Sequence, residues 1–160
     1  MTQLFNKFYI PEDVGISSVA IAQFLKECDA INYKLRTLHI VRHDKAIAEV
    51  SKYPFCALDK RLVYSVSKTF TSTAIGIAVK EGLLRVDDFV LDYFPECRDL
   101  DMDDAARTIK ICHLLTMSTG HGVDTVGDMC NGIRPWPEIF FKRKIVYEPG
   151  THFVYNSGGT

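Results

Sequence analysis

The spacing of apolar residues predicts one helix and one β-hairpin in the first fifty positions. Ser17 or Ser18 can cap a helix whose apolar residues recur at helical spacing. These residues are Ile21, Phe24, Leu25 and Cys28. Two short apolar runs follow, over residues 38–41 and 46–50, with the polar turn His43-Asp44-Lys45 between them. This pattern predicts a hairpin, and because a two-stranded hairpin is marginal alone, we expect it to belong to a larger sheet.

A second helix is predicted over residues 66–79, which are small or apolar on nearly every face. No charge follows Lys68 until Lys80, and a helix without a charged face is typical of a buried helix. Gly82 is placed to end it. This helix immediately follows the hydroxyl-rich sequence Tyr64-Ser65-Val66-Ser67.

The last third of the chain predicts short helices joined by turns. Thr108 can cap a helix over residues 109–117 that ends at Gly120, whereas residues 122–132 predict a loop. Pro135 and Pro137 suit the first turn of a helix over residues 138–142. Trp136 with Phe140 and Phe141 favours core packing or the wall of a pocket. Together with the hairpin, these elements predict an α+β fold.

Composition excludes several classes of protein. With 160 residues the chain has the size of one domain, and its net charge of -1 argues against a nucleic-acid surface. We find no apolar stretch long enough for a membrane span and no secretory signal, so we expect a cytoplasmic protein. The five scattered cysteines never form C-x-x-C, and the histidines form no H-E-x-x-H, which argues against a disulfide framework or a metal site.

The candidate chemistry begins with Ser65 and Lys68, which lie three residues apart and so share a face if they are helical. A serine hydroxyl needs a group that takes its proton before it becomes a good nucleophile. A lysine can take it only when neutral, and both a helix N-terminus and apolar surroundings disfavour an ammonium. The Ser65 backbone N–H could also stabilise an oxyanion. The alternative is that Ser65 is a helix cap and Lys68 a solvated residue.

Tyr155 is a second candidate, because a phenol near a lysine can relay a proton to a leaving group. Taken alone, a tyrosine in the run Phe153-Val154-Tyr155 favours a core or strand position. The residues that follow, Asn156-Ser157-Gly158, add a second hydroxyl close to the phenol.

In this order the segments resemble the superfamily of serine β-lactamases and penicillin-binding proteins. The similarity is closest to its class C-like branch, which also includes many esterases and amide hydrolases. The matching segments include Tyr64-Ser-Val-Ser-Lys-Thr-Phe, His113-Leu-Leu-Thr-Met-Ser-Thr-Gly-His121 and Pro149-Gly-Thr-His-Phe-Val-Tyr-Asn-Ser-Gly158. The resemblance implies a β-lactamase/transpeptidase-like fold, an antiparallel sheet flanked by helices, of which residues 1–160 form the N-terminal part of a single domain.

The resemblance also implies roles for single residues. Ser65 would be the acylated nucleophile, Lys68 its partner base, and Tyr155 the tyrosine of the Y-x-N element. Ser157 stands where class C enzymes usually have asparagine, so it would contact substrate with a shorter group, which favours a simple ester or amide over a β-lactam. No metal or organic cofactor is implied.

The sequence therefore predicts a serine hydrolase of the SxxK type, acting through an acyl-enzyme on a small ester, amide or β-lactam. The family's K-T-G or H-x-G strand has no match up to Thr160, so we expect weak or no turnover from these 160 residues alone. The alternative is a non-catalytic fragment or degenerate relative that binds a ligand or partner through the remnant pocket. A small-molecule substrate is the expected partner, and the sequence leaves the oligomeric state open.

Overall fold

The fold combines helices with one antiparallel hairpin, which confirms the α+β class. The computed structural model describes residues 4–131 and 135–160. Two units divide the chain, Met1–Leu62 and Val63–Thr160. Within the described residues, no helix is both long enough and apolar enough to cross a membrane.

The first unit contains helix α1, Ser18–Ala30, and strands β1, Thr37–Arg42, and β2, Lys45–Ser51. A 3-10 turn, Pro11–Val14, precedes them. The helix begins where its cap predicts, because Ser17 Oγ accepts a hydrogen bond from the Ala20 N–H at 3.3 Å. Cys28 is its buried residue.

The predicted hairpin is present and joins β1 and β2 through the two-residue turn His43-Asp44, because Lys45, predicted in the turn, already pairs with Arg42 in the sheet. Both turn residues have a positive φ, 50° and 58°, which matches the right-handed twist of the flanking strands. Ala46 and Ile47 are the buried positions of β2. Over residues 4–131 and 135–160 the sheet has only these two strands, so the larger sheet that we expected is not found there.

The second unit is helical. Its α-helices are α2, Ser67–Lys80; α3, Asp104–Arg107; α4, Ile111–Leu115; α5, Val126–Asn131; and α6, Trp136–Lys142. The 3-10 turns are Tyr64–Val66, Val90–Tyr93, Pro95–Cys97 and Ser157–Gly159.

The core of this unit is an aromatic and aliphatic cluster in which Phe140 and Phe141 of α6 pack edge to face. Ile109 and Ala106, next to and within α3, are fully buried in it, and Met129 reaches it from α5. Burial of Phe140 and Phe141 confirms the core prediction for these two rings, whereas Trp136 is 63% exposed.

The prediction that α2 is a buried helix is wrong. The helix itself is present and ends at Gly82, whose φ of 73° suits the left-handed position after a helix. However, α2 contains no buried residue, and Phe70 is 72% exposed. An apolar sequence shows which surface favours burial, but not which part of a protein covers it.

Two further boundaries differ from the prediction. Thr108 ends α3 rather than starting the next helix, and α4 begins at Ile111, where the His113 side chain accepts from the backbone N–H of Lys110. Residues 122–131, the described part of the predicted loop, do not form only a loop, because α5 occupies Val126–Asn131, and residue 132 lies outside the described residues. Glycines punctuate this segment and hid the helix, although Asp124 and Thr125 precede it as capping residues would.

Candidate active site

The structure brings Ser65, Lys68 and Tyr155 together, although Tyr155 lies 90 residues after Ser65 in sequence. Ser65 Oγ is 2.6 Å from Tyr155 Oη and 3.3 Å from Lys68 Nζ. Lys68 Nζ also lies 3.3 Å from Ser157 Oγ and 5.5 Å from the centre of the Tyr155 ring. All four residues that the sequence singles out therefore form one cluster of polar groups.

Local backbone sets the direction of the serine. Ser65 lies in the 3-10 turn Tyr64–Val66, directly before α2, and Lys68 is in the first turn of that helix. Tyr64 has a φ of 45°, a left-handed conformation that costs a non-glycine residue about 1–2 kcal/mol. The Ser67 hydroxyl donates to the Tyr64 carbonyl at 2.6 Å and holds this turn.

Tyr155 does not lie in a strand, which differs from the core or strand position that its sequence context favours. Its segment has no regular secondary structure, and the Val154 N–H donates to the Met117 carbonyl at 2.9 Å. The phenol is 47% exposed, so solvent reaches the cluster. Lys68 is only half-buried, and the exposed helix α2 does not supply the desolvation that a buried helix would.

Hydrogen bonding changes the acidity of the phenol. The bond with Ser65 is the largest cause that holds the pKa of Tyr155 below its ordinary value, and the bond with Ser157 is the next. A hydrogen bond and the charge of Lys68 act in the same direction. The folded chain therefore favours the phenolate, which can accept a proton, more than an isolated tyrosine would.

The residues that hold the Tyr155 segment in place were not predicted from the sequence. Asp124 Oδ1 accepts from the backbone N–H of Ser157, and Asn156 Oδ1 accepts from both the N–H and the hydroxyl of Thr125. Asn156 and Thr125 are 1% and 0% exposed. The sequence signal for Asp124 and Thr125 was their position directly before Val126, which is a helix-capping pattern.

Ser157 also borders an apolar cavity of about 380 Å³. Trp136 and Phe140 are among its walls, so the sequence expectation of a pocket wall fits these two rings. Among residues 4–131 and 135–160, no group of three or more His, Cys, Asp or Glu side chains could hold a metal ion.

The β-lactamase family matches residues 59–160. Solved structures with a similar fold include a "putative beta-lactamase" from Bacteroides dorei DSM 17855, at 21% identity and a TM-score of 0.69 over 89% of this chain. A "putative 6-aminohexanoate-dimer hydrolase" from Bacillus anthracis matches 84% of this chain at 16% identity and a TM-score of 0.66. No curated protein gives a significant match.

These likenesses confirm the β-lactamase-like fold that the sequence predicts. The chain spans 43% of the first of these structures and 39% of the second, which is consistent with part of such a fold. The family match covers more than half of the chain and includes Ser65, Lys68 and Tyr155. The chain therefore belongs to the β-lactamase family, within the superfamily of serine β-lactamases and penicillin-binding proteins.

Proposed function

We propose that this protein is a serine hydrolase that forms an acyl-enzyme on Ser65, with Lys68 and Tyr155 as the groups that move its proton. The observation that carries the proposal is the position of Ser65 Oγ, 2.6 Å from Tyr155 Oη and 3.3 Å from Lys68 Nζ. A nucleophile and its base need this hydrogen-bonding distance before any argument from acidity applies.

In the first step, Ser65 Oγ attacks the carbonyl carbon of the substrate and its proton passes to the Lys68–Tyr155 pair. The leaving group then departs with that proton, and the acyl group stays on Ser65. In the second step, water gives a proton to the same pair and attacks the acyl carbon. The bond from Ser65 Oγ to the acyl carbon then breaks, the acid leaves, and the pair returns the proton to Ser65 Oγ, which restores the hydroxyl. The Ser65 backbone N–H is the proposed donor to the oxyanion of both steps.

The distances favour Tyr155 as the immediate proton acceptor. Its oxygen is the nearer of the two groups to Ser65 Oγ, and its lowered pKa favours the phenolate. Lys68 lies beside both hydroxyls and the phenol ring, so its charge stabilises a phenolate there. In this assignment the Tyr155 phenolate takes the proton and the Lys68 ammonium assists it through its charge. The role of direct base, which the family resemblance implies for Lys68, would require the neutral amine.

For the substrate we propose a small ester, amide or β-lactam. Ser157 is the proposed binding residue because its hydroxyl lies 3.3 Å from Lys68 Nζ, next to the reacting groups. A hydroxyl offers one donor where an asparagine amide offers two, so it recognises a substrate amide less completely. The two similar structures are named for a β-lactamase and for a hydrolase of 6-aminohexanoate dimers, and both names fall within these classes.

The second candidate is a non-catalytic protein that binds a ligand or partner through the same pocket. The observation that favours it is the openness of the cluster, since Ser65 and Tyr155 are both exposed. Water weakens the electrostatic stabilisation of a transition state, whereas it is compatible with binding.

One experiment separates the two candidates. The protein is incubated with a fluorophosphonate probe and, separately, with a fluorescent penicillin, and any adduct is located by peptide mass spectrometry. Labelling is stoichiometric, so it does not depend on repeated turnover. We expect an adduct at Ser65 that is absent in Ser65→Ala and slower by about 10²-fold or more in Lys68→Ala.

The matched controls lie on the same helix. Lys80→Ala removes the other lysine of α2, and Thr73→Ala removes a hydroxyl that donates to the Thr69 carbonyl within the same helix. Both variants should be labelled as fast as the unchanged protein. A folded protein with no adduct at Ser65 from either probe would overturn the hydrolase and favour the binding protein.

A further inference from the structure

The carboxylate of Asp124 joins two segments that are distant in sequence. Asp124 Oδ1 accepts from the backbone N–H of Val126 at 3.0 Å, of Ser157 at 2.9 Å and of Gly158 at 3.3 Å. The first of these bonds is local to α5, but the other two reach 33 and 34 residues along the chain. Asp124 is therefore more than a helix cap.

A second contact reinforces the same junction. Asn156 Oδ1 accepts from Thr125 N at 3.0 Å, from Thr125 Oγ1 at 2.9 Å and from Gly158 N at 3.1 Å. Because Thr125 and Asn156 are almost completely buried, these bonds are shielded from competing water. The residues on either side of Asn156 are Tyr155 and Ser157, whose side chains reach Ser65 and Lys68.

The backbone of this segment has little regular structure of its own. Tyr155 is outside any helix or strand, and Ser157 begins a single 3-10 turn. Its position must therefore come from bonds to other parts of the unit, which include the Met117 carbonyl before Tyr155, Thr125 at Asn156, and Asp124 after it. Bonds from N–H groups to a carboxylate are about twice as strong as those to a neutral acceptor.

We propose that Asp124 is a positioning residue, which holds the Ser157–Gly158 backbone so that the oxygens of Tyr155 and Ser157 stay against Ser65 and Lys68. This inference rests on the proposed function, because it assigns Asp124 a role in that reaction. Asp124 does not touch the reacting atoms in this assignment; it acts through the backbone.

The acidity of Asp124 agrees with this role. Burial raises the pKa of Asp124, but the N–H donors of Val126, Ser157 and Gly158 outweigh it, so the pKa lies below its ordinary value. The Ser157 side chain contributes in the same direction. The carboxylate is therefore ionised at neutral pH, where it is the stronger acceptor.

The test compares three variants of the protein. Asp124→Ala removes the acceptor, and Asp124→Asn keeps an oxygen in nearly the same place without its charge. Asp128→Asn is the matched control, since Asp128 is an acidic residue of α5 that pairs with Arg143 at 3.1 Å instead. Circular dichroism first establishes that each variant is folded.

Three quantities are then measured. The rate of fluorophosphonate labelling at Ser65 should fall about 10²-fold in Asp124→Ala, because a displacement of about 1 Å at a reacting group has this effect. The labelling rate of Asp124→Asn should lie between the rates of Asp124→Ala and the unchanged protein. The labelling rate of Asp128→Asn should equal that of the unchanged protein. Hydrogen exchange at the Ser157 and Gly158 amides should accelerate in the same order.

The third quantity is the pKa of Tyr155, read from phenolate absorbance as a difference against Tyr155→Phe in each background. The phenol faces the hydroxyls of Ser65 and Ser157 and the charge of Lys68, and all three lower its pKa. Displacement of the segment removes these contacts, so the pKa should rise in Asp124→Ala. A purely structural carboxylate far from the site would lower stability without moving this value.

The outcomes distinguish this inference from the proposed function. If Ser65 is never labelled but the Tyr155 pKa and the two amides still respond to Asp124→Ala, the hydrolase fails and Asp124 still positions the segment. If Ser65 is labelled equally fast in all variants, with an unchanged Tyr155 pKa, the positioning role is overturned. If Asp124→Ala does not fold, the labelling rate, the amide exchange and the Tyr155 pKa of Asp124→Asn are compared with those of Asp128→Asn. Equal values in these two variants would then overturn the positioning role.

Discussion

Gly158 packs against the start of α5, so replacing it with alanine tests the geometry of the site directly. A Cβ on Gly158 would lie 2.1 Å from Thr125 Oγ1, 2.9 Å from Met129 Sδ and 3.0 Å from Val126 N. Real Cβ contacts are essentially never shorter than 3.0 Å. Gly158 is not in the left-handed region, so the conflict is steric and not one of backbone conformation.

The expected magnitude follows from these contacts. Thr125 Oγ1 cannot move away freely, because it donates to the buried Asn156 Oδ1 at 2.9 Å. Ordinary contact begins at 3.4 Å, so the two segments must separate by roughly 1 Å. Overpacking of this kind costs about 1–3 kcal/mol, and loss of the buried Thr125–Asn156 bond adds about 1–3 kcal/mol.

The assay is equilibrium urea unfolding of Gly158→Ala, with fluorophosphonate labelling at Ser65 on the same samples. We expect the free energy of unfolding to fall by about 2–6 kcal/mol and the labelling rate to fall about 10²-fold. Gly76→Ala and Gly127→Ala are controls in helices, where an added Cβ meets nothing within 4 Å. These two should stabilise the protein by about 0.5–1 kcal/mol, because alanine favours a helix over glycine.

The result that refutes the reasoning is a Gly158→Ala variant as stable as the Gly76→Ala control and labelled as fast as the unchanged protein. Lower stability with unchanged labelling would separate packing at this junction from the position of Tyr155. In that case the contact between Gly158 and Thr125 would contribute to stability but not to the position of Tyr155.

Three further predictions concern acidity and folding. Ser157→Ala should raise the pKa of Tyr155, seen in phenolate absorbance, because the Ser157 bond is one of the causes that lower it. Burial lowers the pKa of His121, so the unfolded state binds more protons than the folded state. The free energy of unfolding, measured in urea, should therefore fall as the pH drops below about 6.5. His121→Gln should reduce this dependence on pH. In the hairpin, His43→Asn with Asp44→Gly should raise the free energy of unfolding by about 1 kcal/mol, because both positions have a positive φ.

The sequence indicated the members of the polar cluster better than it indicated the residues that hold them. Ser65 and Lys68 are three residues apart, so helical periodicity alone places them on one face, and the family resemblance brought in Tyr155. Asp124 acts on backbone N–H groups more than 30 residues away, and nothing in the residue types at positions 157 and 158 indicates that partner. Side chains that bind backbone leave almost no pattern in a single sequence.

The errors in the fold have a related cause. Local chemistry placed α1 and the β-hairpin correctly, because Ser17 and the His43-Asp44 turn act over two or three residues. Whether α2 is buried depends on what packs against it, and the hydrophobicity of its own residues does not identify that partner. The helix α5 was hidden because Gly127 lies within it, in a segment where glycine indicates a turn.

Backbone strain gives independent support for a site at this place in the chain. Of the non-glycine residues with a positive φ that the structure describes, Asn32, His43 and Asp44 belong to types that tolerate it. Tyr64 and Met117 do not, and such a conformation costs about 1–3 kcal/mol at each.

The positions of these two strained residues are informative. Tyr64 directly precedes Ser65, and the Met117 carbonyl accepts from the N–H of Val154, the residue before Tyr155. Each strained residue therefore fixes the backbone next to one of the two oxygens that lie 2.6 Å apart. A fold that only needed stability would relax both conformations, whereas a fold that must hold a hydroxyl against a phenol has a physical reason to keep them.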